Sequence, residues 1–82
     1  MRIDKFLNAV NITKRRTVAQ DMLANGVVSI NGQSVKPSKN VAVGDVITIA
    51  YLKGEKRYEV LQIPTTKSTP KSMQSEYVKE LN

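Results

Sequence analysis

The chain predicts an α+β fold, with two to three N-terminal helices packed on a small antiparallel sheet of about four to five strands. Three observations carry this. Apolar residues recur at helical spacing from Ile3 to Leu23. From Val27 the period changes to two. The short apolar runs that follow are separated by Asn31-Gly32, Gly44-Asp45 and Lys53-Gly54, pairs that favour tight turns.

Ile3, Phe6, Leu7 and Val10 lie at i, i+3, i+4 and i+7, which predicts a helix over Arg2 to Ala9 with Arg2 and Lys5 projecting from one side. Asn11 and Ile12 make a short connection, and Thr13 is a good N-cap for a second helix. That helix would bury Val18, Ala19, Met22 and Leu23 and end at Gly26, suited to the left-handed exit position. At about 11 residues it is too short to be stable alone and must pack on its neighbours. Arg16 and Gln20, one turn apart, share its polar face.

A hairpin follows, Val27 to Ile30 and Gln33 to Val35 around Asn31-Gly32. Residues 36–40 read as a loop, 41–45 as a turn and Val46 to Tyr51 as a strand. A second hairpin turns at Lys53 to Lys56 and returns through Arg57 to Ile63. Residues 64–72, rich in Pro, Ser, Thr and Lys, predict a mobile linker. Met73, Tyr77 and Leu81 then form a weak stripe, compatible with a short terminal helix or with a frayed tail. The expected division is a domain over 1–63 and a linker and tail over 64–82.

With 82 residues the chain has room for one small core. It has no Cys and no His, which excludes disulfides and thiolate chemistry and removes the commonest general base and metal ligand. The carboxylates are scattered, and no Gly-rich phosphate loop precedes a helix. The expectation is a binding protein, not an enzyme, without metal or cofactor. Met1 leads into Arg2, Ile3 and Asp4 with no apolar run of signal-peptide or membrane-span length, so the expected location is the cytoplasm.

The net charge is +6. Residues 1–39 carry seven basic side chains against two acidic, whereas residues 40–82 carry six against five. The positive field therefore belongs to the N-terminal half, as a footprint for a polyanion would. Lys14, Arg15 and Arg16 stand at the head of the second predicted helix, where each would oppose the helix dipole by about 0.3–1 kcal/mol. A local rule broken in this way points to function, and Thr13 to Arg16 offer a seat for phosphate. The aromatics Phe6, Tyr51, Tyr58 and Tyr77 are not interleaved with the basic residues, which disfavours a base-stacking platform. Duplex DNA is disfavoured too, because the second helix offers only Gln20 and Asn25 as base readers. Structured RNA, recognised through backbone and shape, suits the chain better.

RIDKFL at the start, TKRRTVAQDMLANGVVSINGQSV after it and KPSKNVAVGDVITI beyond resemble the S-four RNA-binding domain over about residues 1–50. The resemblance implies helices packed on a small antiparallel sheet, the αL motif, with the helical face on structured RNA. Short stand-alone members include the ribosome-associated heat-shock protein fifteen group and the RqcP group. The opening, the KRR triplet, the size and the short charged tail are most similar to the RqcP group. That resemblance implies a monomer that binds large ribosomal subunits obstructed by peptidyl-tRNA. It would contact 23S rRNA and tRNA while a NEMF-type partner adds alanines to the stalled chain. Carried over by position, the implied RNA contacts are Arg2, Lys5, Lys14, Arg15, Arg16, Thr17, Gln20 and Lys36. Asp4 would either orient its basic neighbours or serve as a plain helix N-terminal charge. Lys39, Lys53, Lys56 and the tail lysines would be solubility charges or weak peripheral contacts. Two other roles stay open: an RNA-targeting module for a separate rRNA- or tRNA-modifying enzyme, and a heat-shock-type factor on free large subunits with nascent chains.

Overall fold

In the computed structural model, which describes residues 1–81, the first apolar stripe forms α1 (Ile3–Ala9) and leaves Ile3, Phe6, Leu7 and Val10 without solvent exposure. Seven residues are too few for a self-supporting helix, and distant parts of the chain complete both ends. At the N-terminus, Ile3 donates its N–H to the Lys39 carbonyl at 2.7 Å. At the C-terminus, Thr69 donates its backbone N–H at 2.9 Å and its hydroxyl at 2.8 Å to the Ala9 carbonyl. The Gln74 amide caps the Val10 carbonyl at 2.8 Å. Asn11, at φ +67°, turns the chain away and donates its side-chain amide to the Thr69 carbonyl at 2.7 Å.

The second helix, α2 (Arg16–Ala24), starts later than Thr13 predicts. Ile12 and Thr13 both donate N–H groups to the Leu7 carbonyl, which draws Thr13 into a buried position under α1. Its hydroxyl has no hydrogen-bond partner, and the extended Arg15 takes the place before the helix. Ala19 and Leu23 are buried and Met22 is partly so, but Val18 is exposed, a departure from the expected face. The cause is rotation: Val18 lies about 100° round the helix from Ala19, beyond a contact stripe that Ala19 and Leu23 define one turn apart. Gly26 exits at φ +73°, with its N–H on the Leu23 carbonyl and that of Val27 on the Met22 carbonyl, a Schellman motif.

Five antiparallel strands follow in the order β2-β1-β3-β4-β5. The first hairpin joins β1 (Val28–Ile30) to β2 (Gln33–Ser34), with Asn31 and Gly32 at positive φ as a primed turn requires. The central strand β3 (Val46–Tyr51) alternates, placing Ile47 and Ile49 in the core. The second hairpin turns earlier than expected, at Leu52-Lys53, because β4 (Gly54–Val60) already pairs Gly54 with Tyr51.

Beyond β4 the structure departs from the sequence expectation. Residues 64–72, expected as a mobile linker, are held by buried Pro64 and by Thr69 on the end of α1. After a 3-10 turn (Lys71–Met73), α3 (Gln74–Tyr77) is a single turn, and the chain straightens into β5 (Val78–Glu80) on the edge of β4. The Met73, Tyr77 and Leu81 stripe is therefore not a helical face, and Met73 and Leu81 are exposed. The β-branched Val78, buried opposite Val60, wins instead, with the free edge of β4 as its template. No helix among the described residues is long and apolar enough to cross a membrane.

Candidate nucleic-acid interface

Packing α1 against α2 brings the first turns of the two helices together, and Asp4 lies where they meet. Its side chain has no solvent exposure. Oδ2 accepts from Arg2 Nη2 at 3.3 Å, from Arg16 Nε and Nη2 at 3.3 Å and from Gln20 Nε2 at 3.1 Å. Oδ1 accepts the Lys5 backbone N–H at 2.8 Å. Burial pushes the Asp4 carboxyl up, but the Gln20 amide, the Lys5 N–H and the Arg16 and Arg2 guanidiniums outweigh it and hold the pKa below the ordinary 3.8. Asp4 is therefore ionised at neutral pH.

The arginines are only partly enclosed, with side-chain exposures of 45% for Arg2 and 40% for Arg16. Each guanidinium is pinned along one edge and keeps its remaining N–H donors for a ligand. Two fixed, planar cations side by side suit phosphate oxygens, which Arg can grip bidentately. Asp4 therefore acts as the orienting carboxylate, the first of the two roles open from sequence.

Lys5 is exposed beside this cluster. Lys36 is exposed on the loop whose Pro37 and Lys39 carbonyls accept the first N–H groups of α1, so it belongs to the same end of the molecule. Lys14, Arg15 and Thr17 are exposed along the entry to α2 and continue the basic surface without joining the Asp4 cluster. Gln20 has an internal duty, because its amide N–H groups face the carboxylate.

Nothing in the sequence singles out Lys67, yet the structure places it with Thr65 and Thr66 across a groove of about 410 Å³ from Lys5, Asn8 and Arg16. A larger hollow of about 570 Å³ lies at the β3–β4 hairpin, lined by Tyr51 to Lys56, and none of the Asp4 cluster borders it. No group of acidic side chains that could hold a metal occurs among the described residues.

Comparison with known proteins agrees with this layout. The S4 domain family model matches residues 1–47, which ends inside β3. A protein of Helicobacter pylori strain J99 named RQC P-site tRNA stabilizing factor is 55% identical over 71 residues, covering 87% of this chain and 84% of that protein. Its namesake in Bacillus subtilis strain 168 is 41% identical over 71 residues, covering 87% of this chain and 79% of that one. The trimeric structure of Vibrio cholerae heat shock protein 15 superposes with a TM-score of 0.88 at 32% identity, covering 98% of this chain and 80% of that chain. The chain belongs to the S4 domain family and, within it, to the group that holds the RQC P-site tRNA stabilizing factors and heat shock protein 15.

Proposed function

We propose that this protein is a non-catalytic RNA-binding factor of ribosome-associated quality control. In this reading it binds 23S rRNA and peptidyl-tRNA on obstructed large ribosomal subunits, in the cytoplasm and as a monomer. By holding the tRNA it supports alanine tailing of the stalled chain by a NEMF-type partner. One observation carries the reading: Arg2 and Arg16 are fixed side by side on a buried carboxylate at the mouth of two packed helices. The names of the H. pylori and B. subtilis relatives supply the P-site tRNA as target.

The geometry does the work through preorganisation. Ordering a long side chain on binding costs about 0.5–1.5 kcal/mol, and two arginines already ordered by Asp4 avoid most of that cost. Lys5, Lys14, Arg15 and Lys36 add further exposed cations around them, the Thr17 hydroxyl adds a hydrogen-bonding group, and Gln20, whose amide N–H is held by Asp4, offers its side-chain oxygen. If the six basic residues each meet a phosphate, log affinity should fall with log salt at a slope of about −4 to −5.

Sucrose-gradient fractionation of tagged protein tests the reading. It should ride with large subunits that carry peptidyl-tRNA, and Arg2→Ala and Arg16→Ala should each weaken that association by about 1–3 kcal/mol without unfolding the chain. Unchanged association in both variants would remove the site. The likeness to heat shock protein 15 favours a second reading, a factor for free large subunits with nascent chains, and co-migration that does not depend on peptidyl-tRNA would select it.

A further inference from the structure

We propose that the groove between α1, the start of α2 and residues 65–67 extends the basic surface into a seat for an RNA backbone phosphate, closed on the tail side by Lys67. The inference rests on the RNA-binding reading above and adds a wall to it that lies outside the S4 match.

Three cations, Lys5, Arg16 and Lys67, border the groove, and no acidic residue does. Asp4 engages only one edge of Arg16, and among the described residues neither Lys5 nor Lys67 pairs with a carboxylate. Like charges gathered with less than one counter-charge each repel one another, and an anion between them relieves that repulsion. The remaining walls are Met1, Asn8, Thr65 and Thr66, and the amide and hydroxyl groups of the last three can bond phosphate or ribose oxygens, the 2′-OH of RNA included.

The tail wall is held in place. Pro64 is buried on one side of it and Thr69 on the other, where Thr69 is bonded to Ala9 and Asn11. Between these anchors the Thr66 hydroxyl donates to the Ser68 carbonyl at 2.7 Å. Lys67 therefore starts from a backbone that is already positioned. The opening, about 410 Å³, falls within the range of about 300–1,000 Å³ typical of small-ligand sites, enough for a phosphate with part of its sugar.

Binding of the full chain to purified large ribosomal subunits, measured across a salt series, tests the seat. Lys67→Ala should weaken binding about three- to tenfold and make the log–log salt slope shallower by about one, with the thermal melt unchanged. Lys67→Arg should restore both, and Lys53→Ala, on the distant hairpin, should change neither. Wild-type affinity in Lys67→Ala overturns the seat, and so does weaker binding at an unchanged slope, because a lost phosphate contact must release fewer counterions. If inorganic phosphate shifts the Lys67 amide resonance while Lys67→Ala binds subunits normally, the groove takes free phosphate and the RNA assignment fails. Arg16→Ala separates the two layers of inference. If Arg16→Ala weakens binding and Lys67→Ala does not, only the seat falls; if Arg2→Ala, Arg16→Ala and Lys67→Ala all leave binding unchanged, the whole interface falls.

Discussion

Replacing Asp4 by Asn sets two electrostatic effects against each other. The carboxylate accepts hydrogen bonds from Arg2, Arg16, Gln20 and the Lys5 backbone. An amide can keep an acceptor toward Lys5 but then turns its NH2 toward three groups that are themselves donors. Because the arginines are 45% and 40% exposed, each ion pair is screened and contributes about 0.5–1 kcal/mol. The Gln20 bond to a charged, buried acceptor adds about 1 kcal/mol. The sum, about 2–3 kcal/mol, is a large part of the roughly 4–12 kcal/mol expected for a chain of this length.

With a urea m-value of about 1 kcal/mol/M, the unfolding midpoint of Asp4→Asn should fall by about 2–3 M while circular dichroism in water still reports a folded protein. For RNA the two effects have opposite signs. Removing a negative charge raises the net charge by one from +6, and long-range attraction alone would then tighten binding. Loss of the orienting acceptor frees both guanidiniums and restores the ordering cost. We expect the second effect to win, with binding at 150 mM salt, where the Debye length is about 8 Å, weakened at least about fivefold. Equal or tighter binding together with an unchanged urea midpoint would refute the orienting role of Asp4.

Further outcomes follow from the same contacts. Asp4 has a folded-state pKa below its unfolded value near 3.8, so its contribution is fully present above that value and is lost as pH falls through it toward the folded pKa. Urea midpoints from pH 7 to 2 should show that loss, and Asp4→Asn should flatten this part of the curve. Thr13→Val replaces a buried hydroxyl that has no partner, and thermal melts should show stability unchanged or raised by up to about 1 kcal/mol. Thr69→Val keeps the backbone bond to the Ala9 carbonyl but removes the 2.8 Å hydroxyl bond, so it should cost about 1 kcal/mol by urea unfolding and speed amide exchange at Val10.

Features set by neighbours in the chain were legible in the sequence. The α1 stripe, the Gly26 exit and the Asn31-Gly32 turn each follow from local spacing and from which residues tolerate positive φ, and the structure has all of them. The Arg16 and Gln20 face was legible for the same reason. Features set by distant partners were not. The Thr69 and Gln74 bonds to α1 span separations of 58 to 64 residues, and no local pattern marks them. Likewise Thr13 is a good cap by residue type, but two N–H bonds to the Leu7 carbonyl hold it elsewhere. Val78 chose strand over helix because the edge of β4 was open to it, a fact of topology. The role of Asp4 stayed open in sequence because Arg16 and Gln20 reach it across 12 and 16 positions.

The basic triplet shows what such distant contacts accomplish. Three cations in the first turn of a helix would each oppose the dipole by about 0.3–1 kcal/mol, but only Arg16 stands inside α2, with Lys14 and Arg15 ahead of it in non-helical backbone. The conflict at Arg16 is offset by Asp4, which also sits favourably in the first turn of α1. This offset works only while Asp4 is held, and α1 is seven residues long. Its N-terminal turn is closed by the loop that bears Lys36, and its C-terminal carbonyls are closed by Thr69 and Gln74 of the tail. The segment beyond the S4 match therefore stabilises the far end of the helix whose near end orients Arg2 and Arg16. Fraying from the tail end would loosen Asp4 and with it both guanidiniums, so the geometry of the basic surface and the docking of the tail form one cooperative unit.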